Sequence, residues 1–244
     1  MPVCPVTEVR LPGIKSWENP VNTGSAEPGY ENDMSSTDIP AGADRSCFSS
    51  WSSTGSAGYR DGREEEYVVA KHEEYPNLCG CYMDDPLGQF EKYPEEQRTQ
   101  MAKEFVTGIR RKLDACSRPM DIIVTWYPYV AREDDGEVYK DADGIAIYTW
   151  NALDLEKLDT VMVSAKEMFP DKKIYLGAYL YDYDRSFPLT AEQMEYQCER
   201  GKQWLLDGTI AGMIFVTNAV MAPGMKNDIW LRDWIKKNGD IDIP

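Results

Sequence analysis

The sequence predicts an α/β fold of the (β/α)8 TIM-barrel type, incomplete or degenerate in its N-terminal third. Three observations predict it. From about residue 62 onward, short apolar or β-branched runs alternate with amphipathic helical stretches, the signature of parallel β/α units. The runs are apolar throughout rather than alternating, as in strands covered on both faces. Their C-terminal ends finish in aromatics and acids, "YMDD", "TWYPY", "YTWN", "AYLYDYD" and "FVTN". Five such strands also fit an open doubly wound sheet, but no Gly-rich phosphate loop follows any of them, so the nucleotide-binding version loses its main support. In a barrel these ends gather at one rim.

Residues 1–61 form an irregular segment rich in Gly, Pro, Ser, Asn and Asp, with "PVTEVRL" and "SCFSSWSS" as weak strand candidates. Residues 62–244 carry the β/α units. "GREEEYVVAKHEEYPN" reads as a helix with acids in its first turn and a proline near its end. "LCGCYM" is a strand. "PEEQRTQMAKEFVTGIRRKLDACS" is an amphipathic helix with Met101, Phe105, Ile109 and Leu113 at i, i+4 spacing. "MDIIVTWY" is a buried-type strand, followed by an irregular acidic connection, "PYVAREDDGEVYKDAD". Then come strand "DGIAIYTW", helix "LDLEKLDTVMVSAKEMFP" and strand "KKIYLGAYLY". "TAEQMEYQCERGKQWLLDG" is a helix opened by Thr190 as N-cap with Gln193 at N3. "TIAGMIFVT" is the last strand, and "NDIWLRDWIKKNG" a helix stopped by Gly239. The first third is too short and too weakly patterned for three full units. A degenerate barrel, a shortened one, or one completed by a partner all remain open.

Composition narrows the function classes. A net charge of -16 over 244 residues repels phosphate backbones and anionic lipid surfaces, so neither nucleic acid nor membrane is an expected partner. No apolar run approaches the roughly 18 residues of a membrane span. The start, "MPVCPVTEVRLPG", lacks a signal-peptide pattern, which places the chain in the cytoplasm unless a leader is missing. The six cysteines are scattered, and Cys79 and Cys81 in "CGC" read as small core residues. There is one histidine, His72, which excludes two-histidine metal sites, and no GxSxG elbow accompanies it. His72 itself is expected on a solvated helix face. No cofactor is expected.

The rim ends supply the candidate site. Tyr82, Trp126, Tyr127, Tyr148, Trp150, Asn151, Tyr179, Tyr181 and Asn218 are the candidate substrate-binding residues. Aromatic faces suit the C–H faces of sugar rings, while amides beside them grip hydroxyls. Asn151 equally suits a helix cap. Asp84, Asp182 and Asp85 are the candidate catalytic acids, because two carboxyls on different strands can work as acid and base, or acid and nucleophile, on a glycosidic bond. Asp85 before Pro86 also reads as an N-cap with Pro at N1. Asp84 shares its strand face with Tyr82 and Gly80.

From about Phe48 to Trp234, "YPNLCGCYMDDPL", "IAIYTWNALDLEKLD", "IYLGAYLYDYD", "MEYQCERGKQWLLDGTIAGMIF" and "WLRDWI" together resemble a largely uncharacterised bacterial family of (β/α)8-barrel proteins similar to glycoside hydrolases. The resemblance implies a barrel with its site around the strand carrying Asp84 and Asp85 and the strand carrying Asp182. In retaining barrel glycosidases the two carboxyls often come from the fourth and seventh strands, and counting back from the C-terminus Asp84 and Asp182 fall on those two. Both are Asp where Glu is usual. The expectation is a glycoside hydrolase-like protein acting on an oligo- or polysaccharide. The alternatives are a non-catalytic carbohydrate-binding barrel and a divalent-metal enzyme using Asp84, Asp85 and Asp182 as oxygen ligands.

Overall fold

In the computed structural model of the chain, residues 8–10, 49–54, 62–75, 78–216, 226–239 and 241 are described. Strands β1 (Glu8–Arg10), β2 (Ser49–Thr54), β3 (Leu78–Met83), β4 (Asp121–Trp126), β5 (Gly144–Tyr148) and β6 (Lys173–Tyr179) belong to one sheet. A small hairpin, β7 (Tyr181–Asp182) and β8 (Phe187–Pro188), stands apart from it, and β9 (Gly212–Val216) completes the main sheet in the order β1-β9-β6-β5-β4-β3-β2. β2 to β6 and β9 run parallel; β1 pairs antiparallel with β9. The sheet curls, and Cα atoms of its two outermost strands, β1 and β2, come within 8 Å. β3 to β6 and β9 thus form a curled parallel half-barrel. Among the described residues there are six parallel strands, against the eight of a closed (β/α)8 barrel.

Strand alternation divides the sheet into two chemically different faces. The outer one carries Ile122, Val124, Trp126, Ile145, Ile147, Ile174 and Leu176, packed beneath the helices. The inner one carries Tyr82, Ile123, Ala146, Tyr148, Tyr175, Tyr179 and Ile214. Branched residues at 122–125 favour the extended backbone of β4. Each fully buried aliphatic of the outer layer contributes about 1.5–3 kcal/mol.

Helix α1 (Glu64–Glu74) precedes β3, and α2 (Glu95–Leu113) links β3 to β4. α2 buries Ala102, Val106, Ile109 and Leu113. Met101 and Phe105, read from the i, i+4 spacing as part of that stripe, are only partly buried. The i, i+4 pattern finds the stripe but not its exact orientation. His72 is a correction: it is fully buried, with Nδ1 donating to the Leu78 carbonyl at 3.0 Å. The Arg118 guanidinium donates to the His72 carbonyl. The glutamates around His72 in sequence conceal that its own helical position faces β3.

The acidic β4–β5 connection contains a 3₁₀ turn at Pro128–Val130 and one helical turn, α3 (Asp135–Val138). Buried Asp135 organises it, accepting from Trp126 Nε1 at 2.8 Å and from the Arg132 backbone N–H at 3.0 Å. The helix expected from residue 153 starts as a 3₁₀ segment, Ala152–Lys157, before α4 (Leu158–Met168). α5 (Ala191–Leu206) has the complete capping box of Thr190 and Gln193. α6 (Lys226–Asn238) is followed by Gly239, whose N–H donates to the Ile235 carbonyl. No described helix is long and apolar enough to cross a membrane.

Candidate functional site

The inner face becomes a tyrosine layer towards the C-terminal ends of the strands. Glycine makes room for it: a Cβ on Gly177 would lie 2.3 Å from the Tyr148 ring, and one on Gly144 would lie 2.6 Å from that of Tyr175. Tyr82 shares a 2.7 Å hydrogen bond with Thr125 and donates to the Tyr148 hydroxyl at 3.3 Å. Tyr127 and Tyr179 share another at 2.9 Å. The Tyr148 and Tyr179 rings lie 4.6 Å apart. Burial pushes the Tyr127, Tyr148 and Tyr179 hydroxyls far above the ordinary phenol range, and the negative charge of Asp84 reinforces all three. These groups therefore stay neutral, able to donate and accept hydrogen bonds.

Asp84 and Asp85 follow β3 at the mouth of this layer. Asp85 has a left-handed backbone, φ 43°, which Asp tolerates better than most residues. Its carbonyl accepts from the Gly88 N–H at 3.1 Å. The N-cap reading of Asp85 is corrected here: the 3₁₀ turn Gly88–Phe90 begins after Leu87 and has no side-chain cap. Partial burial, then the neighbouring Asp84 and Glu91, push the Asp85 carboxyl up to about 6. Asp85 thus keeps its proton in mildly acidic water, the direction general acid chemistry needs.

Asp182, which the sequence pairs with Asp84, is 5% exposed and engaged with main chain. Oδ2 accepts from the Ala152 N–H at 3.2 Å and Oδ1 from the Arg185 N–H at 2.9 Å. Asn151 takes the capping role: Oδ1 accepts from the Leu153 N–H, while Nδ2 donates to Asp184, each at 2.9 Å. The Tyr183 N–H donates to the Trp150 carbonyl at 3.2 Å. These contacts stitch the segment after β5 to the β7–β8 hairpin and hold Trp150 and Tyr183 with ring centroids 5.0 Å apart.

Of the aromatics singled out in the sequence, Tyr82, Tyr127, Tyr148 and Tyr179 share the inner face, with Trp150 packed against it. Trp126 does not join them: one residue from Tyr127, it turns to the helix side and packs edge-on to Phe169 at 5.4 Å. Tyr181 packs mainly on that side too, while its ring lies 5.4 Å from Tyr183. Asn218 lies outside the described residues. Thr125 and Tyr175 are inner-face residues that the sequence reading missed. Thr125 had a signal, as a polar residue in the apolar run "DIIVTW"; Tyr175 follows from alternation with Tyr179. Among the described residues, no group of three or more His, Cys, Asp or Glu side chains is arranged to hold a metal ion.

No protein-family model and no curated protein matches the chain. Among solved structures, the PgaB (BpsB) glycoside hydrolase domain from Bordetella bronchiseptica is similar in coarse shape, with a TM-score of 0.41 and 11% identity. The match covers 73% of this chain and 63% of that one, so the chain spans less than two thirds of the domain it matches.

Proposed function

We propose that the C-terminal rim of the half-barrel is a glycan-acting site of the glycoside hydrolase kind. Asp85 is its proton donor, Asp84 its partner carboxyl, and Trp150 its sugar-facing wall, backed by the buried Tyr127, Tyr148 and Tyr179. One observation carries the reading: Asp85, raised to about 6 beside Asp84, follows β3 at the end of the sheet that carries the neutral tyrosine hydroxyls, near enough for its charge to act on Tyr127. A carboxyl that is still partly protonated near neutral pH can protonate a leaving glycosidic oxygen. Neutral hydroxyls and aromatic faces suit an uncharged polyol. Asp182, with both oxygens already accepting from main chain, serves this site by holding it together.

The test is release of reducing ends from a panel of oligosaccharides by wild type, Asp84→Asn and Asp85→Asn. Both variants are expected to lose at least about 100-fold in turnover, in line with general acid–base contributions. The wild-type rate is expected to fall as pH rises through about 6, as Asp85 loses its proton. Turnover unaffected by either substitution removes the acid pair from the mechanism.

A second reading has its own observation. Asp182, which the sequence pairs with Asp84, already accepts from two main-chain N–H groups, which favours a carbohydrate-binding barrel without turnover. Wild type that binds oligosaccharides but releases no product would establish this second reading.

A further inference from the structure

We infer that Trp150 and Tyr183 form a preformed sugar-stacking subsite, with Asp182 as its positioning residue; the inference rests on the glycan-binding reading above. Both rings are half-buried, each keeping some surface open to solvent. They are near-parallel, at 31° and 5.0 Å, so they stack offset on each other and offer a ligand only the ring surface that the stack leaves uncovered. Tyr127 and Tyr179 meet Trp150 edge-on, at 6.0 Å and 88° and at 6.4 Å and 85°. Tyr183 in turn stands on Tyr179 at 4.7 Å. The pair is thus a wall continuous with the Tyr127–Tyr179 hydroxyls and the Asp84 end of the layer.

Neither ring is fixed by its own strand. Trp150 follows β5 and Tyr183 follows β7, and what joins them is the hydrogen-bonded stitch. Asp182 is its buried centre, with Asn151–Asp184 at the exposed edge. Burying a carboxylate costs several kcal/mol unless it is fully hydrogen-bonded. Here that carboxylate satisfies two loop N–H groups that would otherwise be free to move. Ordering two half-exposed rings in advance removes the entropy a ligand would otherwise have to supply on binding. The ligand class follows from ring chemistry. A flat aromatic face takes the C–H face of a pyranose, and this is widest when the ring hydroxyls are equatorial.

The experiment measures binding of cellohexaose, chitohexaose and mannohexaose to the full chain by calorimetry, with tryptophan fluorescence as a second readout. Trp150→Ala and Tyr183→Ala are expected to weaken binding about tenfold, the upper range for one aromatic contact. Tyr183→Trp should keep affinity within about threefold, since the flat face survives. Asp182→Ala should weaken binding, open the chain to trypsin after Arg185, and add nothing further in a Trp150→Ala/Tyr183→Ala background. That non-additivity separates positioning from general structural damage. Should Asp182→Ala fail to fold, Asp184→Ala, which frees the exposed Asn151 amide, is expected to give the same pattern more weakly. Hexasaccharide binding that survives loss of both rings overturns the subsite and leaves the glycan reading standing. Wild type that binds none of the three sugars overturns both.

Discussion

Tyr127 and Tyr179 meet hydroxyl to hydroxyl at 2.9 Å although β5 lies between the strands that carry them. Tyr148 of that middle strand is in ring contact with both, at 6.3 and 4.6 Å. The bond ties β4 to β6 across a neighbour through side chains alone. Removing either hydroxyl leaves the other buried without this partner, at a cost of about 1 kcal/mol. Tyr127→Phe and Tyr179→Phe should therefore each destabilise, while the double variant costs clearly less than their sum. Urea denaturation of the four proteins measures the coupling, and strict additivity would show that the hydroxyls do not interact.

Asp85 gives a pH-dependent expectation. Its folded-state pKa, about 6, lies above the ordinary 3.8, so the native state holds the proton more tightly than the unfolded chain does. Stability from the neutral carboxyl is complete below about 3.8 and is lost as pH rises through about 6. Asn is neutral at all pH and tolerates the same left-handed backbone. Asp85→Asn is expected to be more stable than wild type above pH 6, by about 1 kcal/mol after allowing for solvent screening. The gap should close below pH 4. A pH-independent difference would mean that the carboxyl is not perturbed.

Gly177 leaves the space that the Tyr148 ring fills. A Cβ there would come within 2.3–2.4 Å of three ring atoms, closer than any relaxed contact. Gly177→Ala should cost about 1–3 kcal/mol by overpacking and disturb the Tyr82–Tyr148 hydrogen bond. Thermal melts check the first effect, and near-ultraviolet circular dichroism of the tyrosines checks the second. An unchanged melt would place the ring elsewhere.

Trp126 tests which face of the sheet carries function. Trp126→Phe removes the indole donor to buried Asp135, which keeps its bond from the Arg132 N–H. A stability loss of about 1–3 kcal/mol is expected, with oligosaccharide affinity unchanged. Weaker sugar binding at undiminished stability would return Trp126 to the site.

What could be read from sequence follows from how locally each feature is determined. β3 matches "LCGCYM" residue for residue, and the Thr190–Gln193 capping box is present, because both signals lie within a few neighbouring residues. The rim was legible as a collection of aromatics, but Trp126 and Tyr127 were not separated until strand alternation was set in the curled sheet. Asp182 was legible as a rim acid. Its engagement with Ala152, thirty residues earlier, depends on a loop-to-loop contact with no local signature. His72 went wrong for a related reason: flanking glutamates mark an exposed helix, while its own turn faces β3.

The interior position of His72 gives the chain a built-in spectroscopic reporter. There is one imidazole in the whole sequence, so its ring signals need no assignment by mutagenesis. A proton on Nδ1, held against the Leu78 carbonyl in a fully buried ring, is expected to exchange slowly enough to be seen directly by proton resonance. Its disappearance during heating or truncation would time the moment at which α1 lifts from the first strand of the half-barrel.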